Sequence, residues 1–195
     1  SLKKDGFDAV FAGIGAQCGT LPGVPGEDAQ GAISAVDFLK EVYDGKKPAI
    51  GERVVVLGGG FTAVDAARSA LRLGAKEVYI AYRRTRDEMP ATGDEIAETE
   101  AEGVKIMYLV SSVEIVAEGG KVSAIRMDTQ TLGEADASGR RRPEGVSGAV
   151  FTLPCDCVIS AVGQKPDAAA AAELVCDKKG MIAVDRDTMT ADNFV

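Results

Sequence analysis

The chain has 195 residues, 46% of them apolar and 27% charged, with a formal net charge of −8; this is the balance of a protein with a true core, enough for one good-sized domain or one domain with flanking pieces of another. The acidic charge argues against a nucleic-acid binder working through a general basic field, and no stretch approaches the roughly 20 apolar residues of a membrane span. With no histidine and four cysteines, Ser-His-Asp, Cys-His and most zinc-hydrolase mechanisms drop out, and no metal site is expected.

The opening Ser1-Leu2-Lys3-Lys4-Asp5 lacks the apolar region of a signal peptide, so a cytoplasmic setting is expected. Phe7 to Ile14 is a short apolar run ending in glycine and reads as a buried strand. A loop rich in Gly and Pro follows from Gly19 to Gly31. From Ser34, a plausible N-cap, the pattern turns helical, with Val36, Leu39, Val42 and Tyr43 on one face.

Arg53-Val54-Val55-Val56-Leu57 is a continuous apolar run, as expected of a parallel strand buried on both faces. Glycines break it at 58 to 60, a helix runs from about Thr62 to Leu73, and Gly74 closes it. Val78 to Tyr82 is the second strand, which completes a βαβ unit. Asp94 to Glu102 is an acidic helix ended by Gly103, and Val104 to Leu109 another strand. Val113–Val116, Val122–Met127 and Ala149–Leu153 read as hairpin strands, joined by Gly119-Gly120 and by a polar loop from Gly133 to Gly148. Asp156 to Val162 is a returning buried strand, Ala168 to Ala172 a low-complexity tract, and Met181 to Val184 a last short strand. The spacing of Cys155-Asp156-Cys157 does not suit a redox pair, so the thiols are expected to be structural. The order predicts an α/β three-layer Rossmann-like domain: a central parallel sheet, helices on one side, and a small antiparallel meander on the other.

Gly58-Gly59-Gly60-Phe61-Thr62-Ala63 fits GxGxxA where strand becomes helix. In this motif the first glycine permits the tight turn, the second the approach of backbone to a pyrophosphate, and the alanine close helix–strand packing. The helix N-terminus adds unpaired N–H groups and partial positive charge. The second strand ends in Tyr82-Arg83-Arg84-Thr85-Arg86, where a site for NADH usually carries an acid on the ribose 2′-hydroxyl; guanidinium forks here favour NADPH. The plainer alternative is a solvated basic loop answering the acidic helix. Ala161-Val162-Gly163 is expected to border the cofactor, and Gly13-Ile14-Gly15 is left open between that role and an ordinary turn. Arg140-Arg141-Arg142 reads as a solvated hairpin turn, with a partner-docking patch as the rival reading.

Together with Val64-Asp65-Ala66-Ala67-Arg68, Met89-Pro90-Ala91, Asp136 to Pro143 and Ala161 to Asp167, these residues resemble the small (β) subunit of NADPH-dependent glutamate synthase and its flavoprotein relatives, among them the nucleotide-binding part of dihydropyrimidine dehydrogenase. The resemblance implies an NADP(H)-binding insert within an FAD-binding domain, with hydride passing from NADPH to FAD and electrons going on through iron–sulfur clusters to a partner, a large synthase or electron-acceptor subunit. It places Gly59, Gly60, Phe61 and Thr62 at the pyrophosphate and ribose. Arg83 and Arg84 fall at the 2′-phosphate, with Arg86 beside them, and Ala161, Val162 and Gly163 at the nicotinamide half. Relatives often have Asn where Phe61 stands, and the phenylalanine loses a side-chain hydrogen bond near the cofactor. It also implies a fragment: residues 1–31 a flank of the FAD domain, 32–180 the NADP(H)-binding domain, and 181–195 the return into the FAD domain. FAD and the clusters would belong only to the full-length protein, and the chain alone would bind NADP(H) but catalyse little, with no catalytic side chain of its own. A nucleotide-binding redox sensor or assembly module without electron transfer is the alternative.

Overall fold

The computed structural model describes residues 5–135, 139–167, 174–177 and 180–191. The chain divides into two compact units, Gly19–Gly163 and a second one made of residues 1–18 with 164–195.

The larger unit is built on five parallel strands: β2 (Ala32–Ser34), β3 (Arg53–Leu57), β4 (Glu77–Tyr82), β5 (Lys105–Tyr108) and β9 (Cys157–Ser160), in the spatial order β2-β9-β3-β4-β5. Alternation along the strands sorts the core into two layers. Val54 and Val56 of β3, Val78 and Ile80 of β4, and Ile159 of β9 face the helices α1 (Ala35–Tyr43), α2 (Phe61–Arg72) and α3 (Gly93–Ala101). Val55 and Leu57, Ala81 and Val158 face an antiparallel meander of β6 (Val110–Glu118), β7 (Lys121–Ala135) and β8 (Arg141–Pro154). A strand buried on both faces must be apolar at every position, which is why Arg53–Leu57 reads as an unbroken run. The expected three-layer α/β architecture is present.

Local chemistry fixes the helix ends. Ser34 caps α1 by accepting from the Asp37 N–H at 3.1 Å. The α2 C-terminus closes with Gly74 N–H to the Leu71 carbonyl and Ala75 N–H to that of Ala70, the paired bonds of a Schellman motif. Thr92 and Glu95 form a capping box at the start of α3. Tyr43, expected on the buried face of α1, is 92% exposed, whereas Ala35 and Phe38 are its buried residues.

One reading of the meander changes. Its strands β7 and β8 run on to Ala135 and Arg141, so most of the expected loop from Gly133 to Gly148 is strand, paired at Ala135 with Arg141 and irregular in register beyond Gly145. Residues 19–31 pack within the larger unit: Ile115 donates to the Pro25 carbonyl, Gln30 to that of Gly120, and Val122 to that of Gln30. In the smaller unit, Phe7 to Ile14 is irregular with Phe7 and Phe11 exposed, and Met181 to Val184 contributes a single bridge from Ile182 to Cys176. A strand needs a neighbour for its N–H and C=O groups, and the described residues of this unit supply none to 7–14. The two-residue strands β1 (Cys18–Gly19) and β10 (Gln164–Lys165) fall where the chain passes between the units. The tract Ala168 to Ala172 and the run Asp136 to Ser138 lie outside the described residues. No helix among the described residues is long and apolar enough to cross a membrane.

Candidate functional site

From β3 the chain moves outward through β4 and β5, then returns to place β9 on the other side of β3. This reversal is a topological switch point, and a crevice opens there at the carboxyl ends of the strands. A cleft of about 580 Å³ lies at this place, lined by residues of the larger unit alone.

The glycine loop forms its floor. Gly58 has φ +135°, and a Cβ there would stand 2.5 Å from the Ala161 carbonyl oxygen. The Gly58 N–H donates to Ala81, and Ala161 N–H to Leu57, so the β3 and β9 loops lie side by side. A Cβ on Gly59 would lie 2.5 Å from the ring of Tyr82, whose hydroxyl donates to the Glu88 carbonyl at 2.6 Å. Gly59, the variable position between the two motif glycines, therefore accommodates a protein ring; Gly60, the motif's second glycine, is left open, with only the Pro90 Cβ as near as 4.0 Å. Gly60 is also the N-cap of α2 and supplies no side-chain acceptor, and the first turn carries no acid. The N–H groups at this end have helix polarity and no capping side chain, as an anion site requires. Ala63 is fully buried, as close packing of α2 on the sheet demands.

The basic wall comes from the end of β4. Arg83 is exposed and Arg84 is 7% exposed; both line the cleft, and neither has an ion-pair partner among the described residues. Arg84 Nε donates to the Arg141 carbonyl at 2.8 Å. Arg86 is placed differently: it pairs with Glu100 at 2.8 Å and does not line the cleft. Its hydrogen bonds to Glu100, then Tyr108, raise its pKa further. Phe61 is half exposed, and neither it nor Thr62 is among the lining residues. Ala161, Val162 and Gly163 do line the cleft, and the Gly163 carbonyl accepts from Thr20. Gly13 and Gly15 fall in the other unit.

Several lining residues were missed by sequence reasoning. Thr20 to Pro22 are fixed by the Gly163 bond and by Ser160 Oγ donating to the Thr20 carbonyl. Ser111 and Ser112 enter from β6 after Leu109, a non-glycine residue with φ +56° whose N–H reaches the Arg84 carbonyl. Arg140, expected in a solvated turn, also lines the cleft. Three arginines thus share one wall, and no Asp or Glu is among the lining residues. Glu88 is the nearby acid held by the basic loop. Burial raises its pKa, but hydrogen bonds from Arg141 and Thr85 outweigh that and keep it below the ordinary carboxylate value.

The cysteines lie elsewhere. Cys155 and Cys157 are buried and free, and burial pushes each thiol up to about 12, away from thiolate reactivity.

The chain matches the family of pyridine nucleotide-disulphide oxidoreductases over residues 2–195. It is 44% identical over 192 residues to the NADP(+)-dependent formate dehydrogenase subunit beta of Moorella thermoacetica, covering 96% of this chain and 27% of that protein. It is 41% identical over 174 residues to the glutamate synthase [NADPH] small chain of Escherichia coli, covering 82% and 36%. The chain therefore spans only about a quarter to two-fifths of the relatives it matches. Among solved structures, FprA, a Mycobacterium tuberculosis oxidoreductase, shares the fold with a TM-score of 0.70 at 23% identity, over 94% of this chain and 54% of that one. The switch-point cleft, its glycine floor and these likenesses agree, and the chain belongs to the pyridine nucleotide-disulphide oxidoreductase family, with relatives among NADPH-dependent oxidoreductases of the glutamate synthase small-chain kind.

Proposed function

We propose that this chain is the NADP(H)-binding part of a flavin-dependent oxidoreductase of the glutamate synthase small-subunit type. One observation carries the reading: a cleft at the switch point is walled by Arg83, Arg84 and Arg140 without a lining carboxylate, beside an uncapped helix N-terminus. A nucleotide with a 2′-phosphate brings negative charge to both places, whereas NADH brings it only to the pyrophosphate. Gly60 and the α2 N-terminus would hold the pyrophosphate, Arg83 and Arg84 the 2′-phosphate, and Ala161 to Gly163 would border the nicotinamide. When bound, the nicotinamide supplies a hydride and FAD accepts it, so the protein must set two rings together and need not provide an acid or base. The chain's residues bind and orient.

The single GxGxxA cannot serve two cofactors. FAD, iron–sulfur clusters and an acceptor subunit belong, in this proposal, to the longer protein; the relatives named as subunit beta and small chain are in keeping with an assembly. We assign the smaller unit to an FAD domain and, since residues 19–31 make contacts within the larger unit, we take the proposed NADP(H)-binding part as Gly19 to Gly163 instead of 32 to 180. The test is anaerobic rapid mixing of the full-length flavoprotein with NADPH and with NADH. NADPH is expected to bleach the flavin at lower concentration than NADH; no bleaching by either nucleotide overturns the proposal.

A further inference from the structure

The NADP(H) reading accounts for Arg83 and Arg84 but leaves the third arginine without a role. We propose that Arg140, carried by the β7–β8 hairpin, is a specificity-determining residue that holds the 2′-phosphate together with Arg83 and Arg84. The inference rests on that reading of the cleft and adds a contact from a different layer of the fold.

Three observations support it. First, Arg140 lines the same cleft as the β4 arginines. Second, its position is anchored. The next residue, Arg141, accepts from Arg84 Nε through its carbonyl at 2.8 Å and donates from its own Nε to Glu88 at 2.9 Å. Glu88 is tied in turn to the Thr85 N–H at 3.2 Å and hydroxyl at 2.9 Å. The start of β8 is thus fastened to the loop that follows β4, and Arg140 stands one residue from the fastening. Third, the charges are sorted. Arg141 occupies the Glu88 carboxylate, whose side chain is only 18% exposed, and Glu88 is not among the residues lining the cleft.

Phosphate chemistry gives the third arginine something to do. A 2′-phosphate has three strong acceptor oxygens and close to two negative charges. Arg84 already spends its Nε on the Arg141 carbonyl, which leaves its terminal nitrogens for an anion. One fork satisfies two oxygens at most, so the phosphate has acceptor capacity for further donors.

The test is calorimetric titration of the chain with 2′,5′-ADP and 5′-AMP, probes that differ in the 2′-phosphate. Wild type is expected to prefer 2′,5′-ADP. Arg140→Ala should weaken 2′,5′-ADP by about tenfold, as for loss of a charge-assisted hydrogen bond, and leave 5′-AMP within about twofold. Arg140→Lys should fall between, because it keeps the charge and loses the fork. Thermal melts of the exposed-site variants check that each is folded. If wild type prefers 2′,5′-ADP and Arg140→Ala keeps the full preference, the role of Arg140 is overturned and the NADP(H) reading stands. Equal loss for both probes overturns it too, since the arginine would then act on the shared adenosine part. Equal wild-type affinity for the two probes overturns the NADP(H) reading itself.

Discussion

The two ends of the parallel sheet use arginine in opposite ways. At the amino end, Arg53 Nη2 meets Asp156 Oδ1 at 3.0 Å, while Asp156 Oδ2 accepts from the backbone N–H groups of Glu52 and Arg53 at 3.0 and 2.8 Å. The Arg53 hydrogen bond holds the Asp156 carboxyl below its usual range, against a smaller opposing effect of burial. This clip ties the start of β3 to the residue before β9, and every charge in it has a protein partner. At the carboxyl end the same two strands open into the cleft, which has no Asp or Glu among its lining residues. The Arg53 pair holds strands together; the cleft arginines are, in the proposed reading, cationic surface for a ligand. The difference is what separates a structural cluster from a binding site in an acidic chain.

Substitutions at the two ends should therefore have separable effects. The largest is expected from Gly58→Ala, which combines an unfavourable φ with a Cβ driven against the Ala161 carbonyl. A loss of about 2–4 kcal/mol is expected in denaturant unfolding, together with loss of nucleotide binding. Wild-type stability would show that the β3 and β9 loops are not fixed to each other as described. Gly60→Ala has room among the protein atoms, so stability should hold. Binding should fall by about tenfold or more if a pyrophosphate lies against that backbone; unchanged affinity would move the phosphates off the α2 N-terminus.

The smallest effect belongs to the clip. Asp156→Asn should cost about 1 kcal/mol, kept modest by the carboxylate's partial exposure, and should leave nucleotide affinity unaltered. The sign of its pH dependence is fixed by the lowered pKa. The stabilisation is full above the ordinary Asp value of about 3.9 and is lost as pH falls through the lower folded value. Melting curves of wild type and variant should thus converge in acid; a gap that widens there would contradict the ion-pair account.

What could be read from residues alone follows from the range of the interactions. The β3–α2–β4 unit was legible because its signals are local: apolar runs, a glycine break, an alanine-rich helix and a closing glycine. The basic end of β4 was legible for the same reason. Arg140 was not, because its place depends on β7–β8 pairing that brings Arg141 against Arg84, 57 residues away. Polar residues in the paired ends of β7 and β8, such as Glu134 and Arg142, look like loop in sequence and are strand in the fold. Leu109 gave no warning either, since nothing about leucine announces a positive φ. Phe7 to Ile14 has the composition of a buried strand, but composition does not supply the neighbouring strand that such a run requires.

The central claim is that this cleft takes a nicotinamide nucleotide bearing a 2′-phosphate. The most direct measurement is titration of the chain with NADPH and NADH, in wild type and in Arg83→Ala. Tighter binding of NADPH by about tenfold or more, with that margin largely lost in the variant, is the expected result. Equal affinities in wild type, or an Arg83→Ala variant that keeps the full preference, would contradict it.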